Sequence, residues 1–230
     1  MAALSRIRLI ILRFSVTAVA TEVLPLATRL YQGTRDVHTE AETSTFISDL
    51  MGGKLDAYAY RALAAQQYYI YVALEEATKI VAHHDQADSL VFEELTRTPS
   101  IEADLTYMFG PGWRDEITPL PSTLEYVEHL KASSDQLCTY AAHAYTRYLG
   151  DLSGGQAIKT MLKRHYAVED KALSFYEFKD IVKAKPFKDL YRERLNALEF
   201  TEDELERTVA EAVLAFRLNQ RLFAELNETL

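Results

Sequence analysis

The sequence predicts an all-α fold, one helical domain over residues 23–230 behind a short N-terminal extension. Three observations carry that prediction. Apolar side chains recur every three to four residues almost from end to end, the period of a helix with one buried face. No run alternates apolar and polar residues as a half-buried strand would. Glycine and proline number only eight and six in 230 residues, so few positions interrupt the helices.

The first predicted helix covers residues 24–42, and a short one follows at 45–51, ended by Gly52 and Gly53. A long, tyrosine-rich helix takes 55–83. A short helix at 101–109 stops at Gly110-Pro111-Gly112. Pro119 and Pro121 open the next, to about residue 131. A glycine-broken helix covers 134–166 and a basic helix 187–198. Thr201-Glu202-Asp203-Glu204 is a capping box, and the last helix runs from it to 226.

Residues 1–22 carry Arg6, Arg8 and Arg13 around an apolar run too short to span a bilayer. Ala18-Val19-Ala20 is similar to a signal-peptidase site, but Arg13 interrupts the apolar region. The segment is read as a poorly ordered extension rather than a secretion signal. A single cysteine, Cys138, excludes an internal disulfide, a multi-cysteine metal site and an iron–sulfur cluster held within one chain. It points to a reducing compartment, and the expectation is a cytoplasmic protein. The formal charge of -9 argues against nucleic acid as a partner, since a nucleic-acid binder presents a basic face.

One stretch departs from the helical monotony. Three of the eight glycines, Gly150, Gly154 and Gly155, fall within six positions of a segment that otherwise reads as helix. Glycine inside a helix costs about 1 kcal/mol against alanine. Such a cluster bends the helix or brings its backbone close to something flat and bulky. Asp151 lies among them, four residues after Arg147 and on the same face. By spacing alone, Gly-x-x-x-Gly also suits close helix packing, and an Arg–Asp pair at this interval is commonly a solvated surface pair.

The run Tyr145-Thr-Arg-Tyr-Leu-Gly150-Asp151-Leu-Ser-Gly154-Gly155 resembles the distal helix of the haem oxygenases over its whole length. Tyr68-Tyr-Ile-Tyr-Val-Ala-Leu-Glu-Glu76 resembles the same family, and the likeness extends over about residues 24–228. It implies a single all-α domain that holds haem b, as substrate and cofactor together, between a proximal and a distal helix. The implied reaction uses O2 and external electrons to turn haem into biliverdin (the IXα isomer), ferrous iron and carbon monoxide. The sequence carries no flavin or nicotinamide fingerprint. The electrons are therefore expected from a flavoprotein reductase or a ferredoxin, docked at a basic rim near Arg35, Lys188 and Arg192.

The resemblance assigns roles residue by residue. His38 is the iron ligand, with Glu42 one turn later to accept its other ring N–H and fix the tautomer. A lone His–Glu pair is by itself compatible with an ordinary surface pair; Thr34 and Phe46 match the same pattern around it. Asp151 holds a chain of waters that delivers protons without touching the iron. Gly150 and Gly154 let the helix backbone lie over the porphyrin. Arg147, Tyr68 and Asn219 support the water network. Asn219 also interrupts the apolar face formed by Leu205, Val209, Ala212, Phe216 and Phe223, and a buried amide needs partners. Lys188, Arg192, Tyr145 and Arg35 meet the haem propionates, while Phe46, Phe216 and Phe223 wall the pocket. Relatives often carry a lysine one turn before Arg35, where this chain has Tyr31. The remaining histidines, His83, His84, His129, His143 and His165, are read as structural or solvated.

Two other readings share parts of this pattern. A haem carrier would bind without oxidising, but has no need of an open, glycine-lined distal face with an acid in it. The helical fold is also shared by di-iron and thiamin-related enzymes. Di-iron bundles use Glu-x-x-His pairs, and none of the six histidines here has glutamate three residues before it.

Overall fold

A computed structural model describes residues 24–230; the extension expected at residues 1–22 lies outside them. Ten α-helices and four short 3-10 turns make up the described residues, with no strand among them. The first helices are α1 (Leu26–Glu42), α2 (Thr45–Met51), α3 (Ala57–Val81), α4 (Thr98–Phe109) and α5 (Trp113–Glu116). They are followed by α6 (Pro121–Ser133), α7 (Leu137–Asp151), α8 (Gly154–Tyr166), α9 (Ala184–Asn196) and α10 (Glu202–Thr229).

Helix boundaries follow local chemistry. Asp56 caps α3 by accepting from the Tyr58 and Ala59 amides. Thr201 and Glu204 close the expected capping box at the start of α10. Thr98 and Pro99 begin α4 three residues earlier than the apolar pattern suggests, because proline suits the first turn of a helix. The Glu75 carboxylate, reaching over from α3, accepts from the Thr98 amide at 2.9 Å and completes that start.

The expected helix over 134–166 is two helices. α7 ends at Asp151 and α8 begins at Gly154, with Ser153 at φ −111°, ψ −78° in the bend. The break falls within the glycine cluster, where loss of the helical bond pattern is least penalised.

α10 is the axis of the bundle. It packs along α1 on one side and α7 on the other, while α3 lies against α4, α6 and α7. The core is rich in fully buried aromatics, among them Trp113, Tyr60, Tyr71, Tyr126, Tyr140, Tyr176 and Tyr191. An Arg29–Glu202 ion pair ties the start of α1 to the start of α10. The segment between α8 and α9 has little helix of its own and is pinned instead by buried side chains. Asp104 accepts from the Ser174 and Phe175 amides at 2.8 Å each. Arg97 donates to the Phe175 and Glu177 carbonyls and lies 4.0 Å over the Phe178 ring. The Tyr60 hydroxyl donates to the Ala172 carbonyl at 2.7 Å.

Candidate active site

A cavity of about 380 Å³ opens between α1 and α10 on one side and the α7–α8 bend on the other, with α2 and α3 closing its ends. Its wall brings together nine of the residues singled out from the sequence: His38, Glu42, Arg147, Gly150, Asp151, Gly154, Phe216, Asn219 and Phe223. Ile47, Met51 and Ile158 supply further apolar wall.

On the α1 side, His38 Nδ1 lies 3.4 Å from Glu42 Oε2, the one-turn pairing expected of the helix. This leaves Nε2 as the atom free for a ligand bond. The Phe216 ring meets the imidazole edge-on, with centroids 5.4 Å apart, and limits its rotation. Behind the wall, the buried Phe46 ring stacks on Phe223 at 6.1 Å. Phe46 therefore supports the pocket wall rather than facing the cavity. Thr34 is buried and donates to the Leu30 carbonyl, so it is a structural residue of α1.

On the opposite side the backbone itself faces the cavity. A Cβ placed on Gly150 or Gly154 would meet no atom within 4 Å, so the missing side chains leave open space. Gly155 differs, because its Cβ would fall 3.1 Å from the Tyr176 ring. The first two glycines shape the cavity, and the third admits a neighbouring phenol.

Asp151 is held at the end of α7. Its carboxylate accepts a hydrogen bond from the Tyr71 hydroxyl. Burial pushes the Asp151 carboxyl well above the usual carboxylate range. Arg147 lies one turn before it, 8% exposed. Its Nη1 donates to Asn219 Oδ1 at 2.8 Å, and the Asn219 amide donates in turn to the Ala215 carbonyl at 3.0 Å. The guanidinium also sits 4.9 Å from the Tyr71 ring centroid. Burial lowers the Arg147 pKa, and neighbouring Tyr126, Tyr176 and Tyr148 oppose that shift. Nε and Nη2 of Arg147 are buried with no partner in the protein.

One expected residue is misplaced by three positions. Tyr68 is absent from the cavity wall, and its ring packs edge-on against Trp113 at 4.8 Å and Tyr69 at 5.4 Å. The phenol that reaches Asp151 belongs to Tyr71. Three residues turn a helix by roughly 300°, so the two side chains leave α3 about 60° apart. That is enough to separate the phenol that meets Asp151 from one packed on α5. Two further residues at the site, Gln67 on the cavity wall and Tyr176 beside Asp151, went unremarked in the sequence. Tyr176 sits outside any long helix, so no periodicity marks it.

None of the expected propionate residues is on the cavity wall. Lys188 Nζ donates to Ser153 Oγ at 2.9 Å, and Ser153 lines the cavity. Arg192 is exposed and pairs with Asp189 at 3.1 Å. Tyr145 is half-buried; burial raises its phenol, and the charge of Arg192 opposes that rise. Arg35 is 73% exposed and 3.6 Å from Asp36. His143 is fully buried and pairs with Glu211 at 2.9 Å, away from the cavity. Among the described residues no group of three or more His, Cys, Asp or Glu side chains could hold a metal ion. Nor is any helix among them long and apolar enough to cross a membrane.

Comparison with known proteins agrees with this geometry. Residues 24–225 match the sequence model of the family described as "Heme oxygenase". The heme oxygenase of Rhodella violacea is 39% identical over 204 residues, spanning 88% of this chain and 87% of that protein. Heme oxygenase 1 of Nostoc sp. is 38% identical over 207 residues, spanning 89% and 87%. The crystal structure of heme oxygenase-1 from the cyanobacterium Synechocystis sp., in complex with heme, superposes with a TM-score of 0.85 at 35% identity, covering 90% of this chain and 94% of that one. With an imidazole on one side of the cavity, a glycine-opened backbone and a buried acid on the other, and relatives matched over nearly their whole length, the chain belongs to the haem oxygenase family.

Proposed function

We propose that this chain opens the haem ring oxidatively, with haem as substrate and cofactor, to give biliverdin, ferrous iron and carbon monoxide. The observation that carries the reading is the two-sided cavity. One wall offers a histidine with its other nitrogen engaged; the facing wall offers bare backbone with one buried carboxyl.

The residues present fit a haem on three counts. His38 keeps Nε2 for the iron while Glu42 fixes the tautomer and raises the basicity of the ligand nitrogen. Gly150 and Gly154 leave a flat, side-chain-free surface where a Cβ would otherwise enter the cavity. Phe216, Phe223, Ile47 and Met51 present the apolar wall that a porphyrin edge requires. When bound, haem supplies the redox-active iron and the ring carbon that is oxidised.

The chain's own contribution is positioning and proton supply. Asp151, whose buried carboxyl holds its proton more tightly than an ordinary aspartate, is placed to exchange that proton with solvent in the cavity. Tyr71 donates to it, and Arg147, fixed by Asn219, keeps Nε and Nη2 available to hold water. Gly150 and Gly154 would let haem approach the backbone closely on that face, and the IXα isomer is the proposed product. Lys188, Arg192, Arg35 and Tyr145 would meet the propionates at the mouth, since charge-assisted bonds from Lys and Arg suit carboxylates.

The electron donor is proposed to be a separate flavoprotein reductase or ferredoxin that docks at the basic rim formed by Arg35, Lys188 and Arg192, in the cytoplasm. Reversing those three charges should slow reduction by the donor; an unchanged rate would contradict the docking site. The reaction itself is tested by adding hemin and ascorbate aerobically to the wild type and to Asp151→Ala. The wild type should convert the haem absorption to that of biliverdin, and the variant should give little or none. Intact haem in the wild type, the outcome expected of a carrier, or equal product from both, would overturn the reading.

A further inference from the structure

Asp151 has polar neighbours that the proton route above leaves unused. Gln67 sits on α3 one turn before Tyr71, lines the cavity and is 8% exposed. Tyr176 comes from the short 3-10 turn Ser174–Tyr176 and is held on several sides. Its ring lies against Gly155, where a Cβ would intrude at 3.1 Å. Gln156 Nε2 donates to its carbonyl at 2.7 Å. Asp104 fixes the two preceding amides, and the Phe175 ring, 4.9 Å from that of Tyr176, packs on Tyr71 at 5.2 Å.

What the anchoring delivers is a hydroxyl. The Tyr176 O–H is buried and closes no hydrogen bond with the protein. Burial drives its pKa far up, the charges of Asp151 and Asp104 add to the rise, and Arg147 and the Gln67 amide oppose it. The Gly155 Cβ position that lies 3.1 Å from the Tyr176 ring is also 3.8 Å from Asp151 Cβ, so the phenol comes down beside the acid. Arg147 Nε and Nη2 are also unpaired close by. Buried polar groups left open in this way call for a shared water, which needs two to four polar partners. Around Asp151 these are Gln67 and Tyr71 from α3, Arg147 from α7, Tyr176 from the 174–176 turn and Asn219 from α10, of which Asn219 is already committed to Arg147.

The geometry points to Gln67 as a further positioning residue: its amide, backed by the Tyr176 hydroxyl, holds the solvent through which Asp151 is supplied with protons. The inference rests on the haem oxygenase reading, and it adds a second polar support to the Tyr71 contact. The amide N–H stabilises the deprotonated form of the network, so an apolar side chain of similar size should make that form harder to reach.

The test uses the full chain loaded with ferric haem, and reads the acid–alkaline transition of its absorption spectrum. Gln67→Leu should move the midpoint upward by at least about half a pH unit, the shift expected from losing one hydrogen bond. Tyr176→Phe should move it in the same direction. The double variant should shift by less than the sum, because the two side chains act as one unit. Hemin affinity should stay within about twofold of the wild type. A Gln67→Leu midpoint within about 0.2 unit of the wild type, with haem loading normal, overturns the inference and leaves the haem reading standing. If Gln67→Leu fails to load, an unshifted midpoint in Tyr176→Phe overturns it equally. A wild type that takes up no hemin sinks the haem reading, and this inference with it.

Discussion

The Tyr71 hydroxyl donates to the Asp151 carboxylate, and the Arg147 guanidinium lies over the same phenol ring. The acid at the cavity is therefore oriented from α3 while its own helix supplies the cation. A carboxyl this buried is uncharged or costly to charge unless a donor faces it, and Tyr71 is that donor.

Tyr71→Phe removes the donor and keeps the ring. Turnover of hemin should fall roughly tenfold, about 1.4 kcal/mol of barrier. Hemin affinity should stay within about twofold, since the phenol does not contact the proximal side. Tyr68→Phe should leave turnover unchanged. Single-turnover kinetics on both variants check the assignment, and the reverse pattern would restore Tyr68 to the network.

Gly150→Ala separates folding from function. The added methyl meets no atom within 4 Å, and alanine favours a helix over glycine by roughly 0.5–1 kcal/mol. The apo-protein should melt about 1–3 °C higher. Hemin turnover should nevertheless drop, because the methyl occupies the face that the bare backbone leaves open. Calorimetry and a turnover assay on the same preparation give both signs; a variant that is more stable and equally active removes the cavity role of Gly150.

Asp151 also makes stability depend on pH. Burial raises its folded-state pKa above that of the unfolded chain, so the folded apo-protein binds the proton more tightly. The stabilisation is fully present below the unfolded value of about 4 and is lost as pH rises through the raised folded value. At neutral pH, where the unfolded aspartate is ionised, burying this carboxyl is a net cost to the fold. Asp151→Asn, which keeps an acceptor for Tyr71, should therefore raise the apo melting temperature near neutrality, with the gain shrinking towards about pH 4. Melting curves across that range test the sign; a gain that does not vary with pH contradicts it.

His143 is structural. It is fully buried and bonded to Glu211, which joins α7 to α10. His143→Ala leaves a cavity and an unpaired carboxylate, at about 2 kcal/mol. The melting temperature should fall by roughly 4–8 °C. Below that temperature the haem spectrum should be unchanged, and a changed spectrum would give His143 a part at the iron.

Much of this was legible in the residues. The spacing of His38 and Glu42 placed both on one turn of α1, and Thr201 to Glu204 marked the start of α10. The glycine cluster announced a bend, but periodicity merged α7 and α8 into one helix because both flanks share the same pattern. Tyr68 and Tyr71 show the limit more sharply. Three tyrosines, Tyr68, Tyr69 and Tyr71, crowd the middle of α3, and which of them reaches Asp151 depends on where α5 and Trp113 sit, a tertiary fact. Tyr176 lies in a segment pinned by Asp104 and Arg97 from distant helices, so its place beside Asp151 comes from long-range bonds that no local pattern encodes.

The proposed role of the His38 imidazole as iron ligand is the point on which the account turns, and hemin titration tests it directly. The wild type should bind one hemin per chain with a sharp Soret band, and His38→Ala should lose at least about tenfold in affinity and shift that band. A His38→Ala protein that binds hemin as tightly as the wild type, with the same spectrum, would contradict the account.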